Sequence, residues 1–130
     1  MPTIRFLQAV TIFTAGALTG VLAVAAAPAA SRMSAQVLLS VVSDELRWKQ
    51  TQVRVNLDTW DPGSETGRHE HPGPGLLYVL EGELEEVRAD STRPLRAGEA
   101  VWNRGRTPHN VRNRSDRVAR ALAVHLDPGR

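Results

Sequence analysis

The sequence contains no cysteine among its 130 residues. Disulfides are therefore excluded, and so are a thiolate nucleophile and any metal site with thiolate ligands. Small proteins outside the cytoplasm commonly use disulfides to supplement a limited core. If this chain is exported, its core must be sufficient without them.

The sequence also has little net charge, and lysine is almost absent. The chain has sixteen basic and fourteen acidic residues, which gives a formal charge of +2. Fifteen of the sixteen basic residues are arginine. The isoelectric point of about 9.9 reflects the very high pKa of the guanidinium group. Because no basic stripe alternates with aromatic residues, we expect no nucleic-acid partner.

A long hydrophobic run occurs at the amino terminus. Residues 6–27 carry no charge, Arg5 precedes them, and small residues rich in alanine follow. This pattern predicts a secretory signal over residues 1–30, followed by a neck over 31–35. The run is also about the ~20 residues that a membrane helix needs, so an uncleaved anchor is the alternative. Either one predicts an extracytoplasmic protein, periplasmic or secreted, that contacts the membrane only through this segment.

The remaining chain, about residues 36–127, predicts one all-β domain. Turn signals recur every eight to twelve residues between short apolar or alternating runs, which is typical of a sandwich or barrel. In the run 50–60, alternation predicts a half-buried strand with Val53, Val55 and Leu57 on one face and Arg54, Asn56 and Asp58 on the other. We expect further strands at 37–42 (or a short apolar segment), around 69–71, and at 76–81, 83–88, 95–102 with a turn at Gly98, and 118–126. Residues 81–83 are expected to form a hairpin turn.

Histidines with a spacing of two stand at the centre of this domain. His69 and His71 would point to the same face of a strand, so that two imidazoles converge on one side. Such a pair can form half of a metal site. A third histidine, His109, follows a second turn-rich stretch.

The segment around these histidines resembles the first motif of the cupin superfamily, as found in small single-domain bacterial members. That motif is a glycine, five residues, His-x-His, three or four residues, a glutamate, six residues and a glycine. Here it corresponds to Gly63, His69, His71, position 75 and Gly82. The stretch that starts at Gly98 and contains Gly105, Pro108, His109 and Asn113 resembles the second motif of the same superfamily. The likeness covers roughly residues 52–126.

The resemblance implies a cupin-type jelly-roll barrel in which His69, His71 and His109 bind a divalent metal such as iron, manganese, nickel or zinc. It also implies a homodimer that pairs through an edge strand. The motif's glutamate is absent, because Gly75 occupies its position. Three neutral imidazoles would leave the ion its full +2 charge, which favours anionic or chelating ligands.

Four further residues are candidates for binding a small-molecule substrate at the barrel mouth: Tyr78, Trp102, His125 and Arg106. Tyr78 and Trp102 also fit plain core packing. His125 follows Ala121 and Ala123 in register on the last strand and also fits a structural, half-buried histidine. Arg104 or Arg106 could recognise a carboxylate, although a solvated basic face is the simpler interpretation.

Two functions from different classes follow. The first is an exported metal-dependent enzyme acting on a small anionic or enolisable molecule, with dioxygenation as the first reaction to test. The second is a non-catalytic module that binds a metal or a small molecule outside the cytoplasm. A barrel with an apolar interior and no site is a third, weaker option.

Overall fold

In the computed structural model of the protein, which describes residues 33–129, the compact unit that begins at Ala35 contains strands and no helix. This described part has seven strands: β1 (Thr51–Trp60), β2 (Gly75–Glu81), β3 (Glu83–Val87), β4 (Thr92–Arg96), β5 (Ala100–Asn103), β6 (Asn110–Arg112) and β7 (Ala119–Pro128). The all-β prediction is confirmed. The predicted leader over residues 1–30 lies outside the described residues, and in 33–129 no helix is long and apolar enough to cross a membrane.

The strands form two antiparallel sheets that share one core. The first sheet has the order β1-β7-β2-β5 and the second the order β4-β3-β6. Both sheets contribute to one buried cluster, in which the larger side chains are Trp60, Leu77, Val79 and Val101 from the first and Leu84, Leu95 and Val111 from the second. Such a pair of sheets is the barrel-like architecture that the sequence predicted.

The chain passes from the first sheet to the second at Gly82. The predicted hairpin at 81–83 was wrong, because β2 pairs with β5 and β7 whereas β3 pairs with β4 and β6. Gly82 has a φ of 76°, and a Cβ there would lie 2.8 Å from the carbonyl oxygen of Val118. Only glycine combines this left-handed conformation with so close an approach of two backbones.

Other strand boundaries also differ from the prediction. The predicted strand 95–102 is two strands in different sheets, separated by the turn at Gly98, where φ is 88°. β4 begins at Thr92, three residues before that predicted strand, and the three-residue β6 is too short to leave a period-two pattern. Residues 37–42 form no strand, and most of their apolar side chains are substantially exposed.

β1 alternates as predicted, and its polar face is the one that points inward. The apolar residues are exposed, at 61% for Val53, 61% for Val55 and 53% for Leu57. The polar residues Arg54, Asn56 and Asp58 line an internal cavity instead. A period of two separates the faces of a strand but does not say which face is inside. Here the interior includes a polar cavity, so the rule that apolar residues point inward fails on this strand.

Candidate metal centre

The imidazoles of His69, His71 and His109 converge on one cavity between the two sheets. His69 and His109 form an isolated antiparallel bridge, in which each backbone N–H donates to the other's carbonyl at 2.9 Å. His71 lies past this bridge in a loop, so the expectation of one strand carrying both residues was wrong. The backbone N–H of Arg106 donates to the His71 carbonyl at 2.7 Å and holds that loop in place.

The ligand nitrogens are close enough together to share one ion. One ring nitrogen from each of the three histidines lies within 4.8 Å of the others. The Nε2 atoms of His69 and His71 are 3.1 Å apart. Two nitrogens at about 2.1 Å from one ion, and at right angles to each other, would be about 3.0 Å apart. The three rings therefore fit a divalent metal after a small inward shift, since a separation of 4.8 Å slightly exceeds the about 4.2 Å that two such ligands of one ion can span.

The tautomers of two of the rings are fixed by carbonyl groups. His69 Nδ1 lies 2.9 Å from the carbonyl oxygen of Gly67, and His109 Nδ1 lies 2.8 Å from that of Thr107. A carbonyl oxygen only accepts, so both Nδ1 atoms carry the proton and both Nε2 atoms present a lone pair to the cavity. Hydrogen bonds of this kind orient metal-binding histidines in proteins.

His71 is held neutral by its surroundings. Burial, followed by the neighbouring imidazoles of His125, His69 and His109, lowers its pKa from 6.5 to about 4, against an opposing effect of Asp127. Burial and then the Arg54 guanidinium also lower the pKa of His125. Only neutral imidazole binds a metal, so near neutral pH these rings need not lose a proton first.

The lowered pKa of His71 predicts how the stability of the metal-free protein depends on pH. Its unfolded chain takes up a proton at this ring near pH 6.5, and its folded state only near pH 4. Between these values the unfolded state binds more protons, so the free energy of unfolding should fall as the pH drops from 6.5 towards 4. Chemical unfolding in chelator at several pH values measures this. A His71→Asn variant should show a shallower dependence; equal slopes would contradict the assignment.

The cavity that contains the three rings has a volume of about 240 Å³. Polar residues that the sequence analysis did not select line it: Arg54, Asn56, Asp58, Thr66 and Asn103, and also Arg104, which was considered beside Arg106. Their signal was the polar face of β1, which alternation separates from the apolar face without showing that it points inward. In the neighbouring strand β7, Ala123 also lines the cavity, and its small side chain leaves room there.

Two arginines of the cavity wall are fixed by acidic partners. Arg54 lies 3.5 Å from one carboxylate oxygen of Asp127, and the other oxygen accepts a hydrogen bond from the backbone N–H of Gly73. Arg104 is 3.6 Å from Glu45, whose carboxylate also accepts from the N–H of Gly105. Both guanidinium groups remain about half or more exposed, so they can still meet a ligand that enters the cavity.

The predicted substrate-binding residues separate into two groups. His125 lines the cavity, and its ring centroid is 4.5 Å from that of His71. Tyr78 and Trp102 do not line it, because they alternate with the buried residues Leu77 and Val101 and point to the other face of the sheet. There they line a separate groove with residues 36–39 and Val41. Arg106 is exposed, and the cavity is not lined by it.

The absence of a glutamate at position 75 is enforced by the backbone. Gly75 pairs directly with His125 in β7, and a Cβ built on it would lie only 2.8 Å from the carbonyl oxygen of Val124. A side chain there would force the two strands apart. Asn113, the last residue of the second motif, is structural: it is fully buried and donates to the carbonyls of Trp60 and Arg117.

Comparison with known proteins bears on this arrangement. The sequence model of the family described as "Cupin domain" matches residues 56–125, which include all four histidines. No curated protein has a sequence that matches the chain.

Solved structures share the fold. A cupin domain from Bordetella pertussis Tohama I is 24% identical with a TM-score of 0.51, and the match covers 60% of this chain and 90% of that one. A protein described as a predicted oxalate decarboxylase, from Thermotoga maritima, is 26% identical with a TM-score of 0.52, over 55% and 64% of the two chains. A sugar phosphate isomerase from Silicibacter pomeroyi DSS-3 is 27% identical with a TM-score of 0.50, over 56% and 49%.

Proposed function

We propose, from the premise that this chain belongs to the cupin family, that it binds a divalent metal ion through His69, His71 and His109 and an anionic organic molecule beside it. The observation that carries this proposal is the convergence of three ring nitrogens within 4.8 Å of one another. Iron, manganese, nickel and zinc all accept nitrogen ligands of this kind. A bound ion would supply a Lewis acid that polarises an oxygen of the substrate.

The charges around the cavity favour an anion. The three-histidine group contains no carboxylate, so neutral ligands would leave the ion its full charge. Arg54 and Arg104 add two guanidinium groups to the wall, each paired on one side with a carboxylate, of Asp127 and Glu45, and Asp58 is the one acidic residue in the lining. A planar guanidinium recognises a carboxylate through two parallel hydrogen bonds. The description of one similar structure as a predicted oxalate decarboxylase is consistent with a carboxylate substrate.

Dioxygenation is the reaction to test first. The protein is purified with each of the four metals, and oxygen uptake is measured with thiol carboxylates, diketones and polyphenols; carbon dioxide release from oxalate serves as a second assay. Metal-dependent turnover in one of these assays supports an enzyme. Absence of turnover with every metal and substrate would contradict it.

A second candidate function is binding without turnover. Gly75 supports it, since the position where the family motif has a carboxylate has no side chain at all, and Asp58 is the one carboxylate that lines the described cavity. A binding module retains its metal after gentle purification, and its melting temperature rises with added ligand although no product forms.

We also propose that the protein works outside the cytoplasm. The support is in the sequence: Arg5, the uncharged run over residues 6–27, and the alanine-rich end of that run. Cell fractionation, together with the mass of the mature protein, tests this. A mature chain that begins near residue 31 indicates a cleaved signal, an intact chain in the membrane indicates an anchor, and an intact chain in the cytoplasm contradicts export.

We propose further that two copies associate through β1. Among the described strands, β1 lies at one edge of its sheet and pairs only with β7. Its exposed face carries Val53, Val55 and Leu57, and a long apolar edge strand readily pairs with another chain. Antiparallel pairing of two copies about Asn56 would place Arg54 opposite Asp58 of the second copy, and Val55 opposite its Leu57.

This register gives a charge-reversal prediction. Arg54→Asp would place two aspartates opposite each other and Asp58→Arg two arginines, so each single variant should become monomeric. The double variant restores opposite charges and should be a dimer again, because both pairs are inverted together. Light scattering after gel filtration measures the mass, and circular dichroism checks that each variant is folded. A monomeric wild type, or single variants that remain dimeric, would contradict this pairing.

A further inference from the structure

The fourth histidine of the chain lies beside the three-histidine group on another strand. His125 belongs to β7, where residues 121 and 123 are buried alanines that point to the same interior. In register it lies opposite Arg54 on one side and Gly75 on the other. Its side chain therefore points into the same cavity as the three imidazoles, and it lines that cavity.

His125 lies as close to one ring of the group, that of His71, as members of the group lie to each other. Its ring centroid is 4.5 Å from that of His71, the same distance that separates His69 from His109. The rings of His71 and His109, both in the group, are 5.6 Å apart. Within residues 33–129, the structure shows no hydrogen bond to the His125 ring, whereas His69 and His109 each donate to a carbonyl. Either ring nitrogen of His125 can thus present its lone pair to a ligand, depending on which one carries the proton.

The neighbour of His125 across the ladder leaves space for its ring. Gly75 has no side chain, and the backbone of Val124 comes too close to allow one. Directly opposite residues in an antiparallel ladder point to the same side, so the volume that a side chain at position 75 would take is next to the His125 ring. Position 75 of β2 therefore cannot supply a metal ligand, whereas the position opposite it in β7 carries an imidazole.

From these contacts we propose that His125 is a fourth imidazole ligand of the ion, an inference that rests on the proposed metal binding by His69, His71 and His109. The nitrogens within 4.8 Å of one another belong to those three rings. The His125 ring must consequently turn about its side-chain torsions to complete the set, and the cavity that it lines gives it room to turn. The resulting site has four neutral nitrogen donors and keeps the full charge of the ion.

The experiment counts the imidazole nitrogens that bind the ion. The full-length protein is loaded with copper(II) or nickel(II), and X-ray absorption spectroscopy gives the number of imidazoles around the ion in the wild type and in His125→Ala. The expected numbers are four and three. The dissociation constant of the variant, measured by calorimetry, should be at least about 10-fold weaker, since even a supporting partner of a ligand costs 10–100-fold when removed. Leu122→Ala, on the same strand but the opposite face, is the control and should leave both values unchanged.

Each outcome decides between the two proposals. Three imidazoles in the wild type, with an unchanged count and affinity in His125→Ala, overturn the fourth ligand and leave the three-histidine site standing. A wild type that binds neither ion overturns both. If His125→Ala does not fold, the count in the wild type alone decides, because it requires no substitution.

Discussion

Replacing His109 with alanine is expected to abolish tight binding of a divalent metal. His109 is 5% exposed, and its ring is oriented by the hydrogen bond from Nδ1 to the carbonyl of Thr107. The variant leaves two of the three converging nitrogens, so the loss of affinity should exceed the 10- to 100-fold that removal of a supporting partner causes. Calorimetric titration with zinc or nickel measures it, and any metal-dependent turnover should fall to background.

A nearby substitution separates loss of the imidazole from disturbance of the loop. Pro108→Ala changes an exposed residue of the same loop and relaxes its backbone, at a cost of about 1 kcal/mol or less. Its metal affinity should equal that of the wild type. If His109→Ala binds metal as tightly as Pro108→Ala does, the ion is held elsewhere and the three-histidine assignment is wrong.

Removing both arginines that surround Glu86 is expected to cause a large loss of stability. Glu86 is 1% exposed, and its carboxylate is bound by Arg88 at 3.1 Å and by Arg93 at 2.7 Å. Arg88 also donates to Asn103 in the cavity wall at 2.7 Å. The double variant Arg88→Ala/Arg93→Ala leaves a buried carboxylate without a partner. Its free energy of unfolding should be lower by about 3 kcal/mol. This is the lower end of the range for a broken buried ion pair, because water can enter the space that the two arginine side chains occupied.

Denaturant unfolding measures this loss, and heating should show a melting temperature lower by about 10–20 °C. Adding Glu86→Leu to the double variant removes the stranded charge and should recover much of the stability, since a hydrophobic residue often replaces a buried ion pair at little cost. If Glu86→Leu gives no recovery, the loss comes from the missing arginine side chains. A double variant as stable as the wild type would show that the buried pair is absent in solution.

The sequence predicts the fold class because strand alternation and turn residues are local signals. β2, β3 and β7 were predicted to within one or two residues of their observed bounds. The same signals do not say which strands pair, and the hairpin predicted at Gly82 failed for that reason. Sheet membership depends on contacts between distant residues, which a local pattern does not contain.

The three candidate ligand histidines were selected from their spacing and the motif, although the reason first given for the convergence of His69 and His71 was wrong. The spacing of two was expected to work through one regular strand. Instead, the bridge between His69 and His109 and the loop that carries His71 bring the nitrogens together. The motif resemblance succeeded where the strand geometry did not, because it includes the distant His109.

The remainder of the site was missed because the inward face of β1 was not identified. Arg54, Asn56 and Asp58 form the polar face of β1, and that face points into the cavity. Tyr78 and Trp102 were expected to line the cavity or to pack in the core, but each alternates with a buried neighbour and points to the other face of the sheet. Within a barrel that holds a polar cavity, hydrophobic periodicity separates the two faces and leaves their assignment to the tertiary structure.

Anomalous diffraction at the absorption edge of a bound metal locates the ion directly. Crystals of the protein loaded with nickel or zinc should give one strong peak per chain, at about 2.0–2.1 Å from a ring nitrogen of each of His69, His71 and His109. A peak at another place, or no peak in crystals of the metal-loaded protein, would contradict a metal centre built from these three residues.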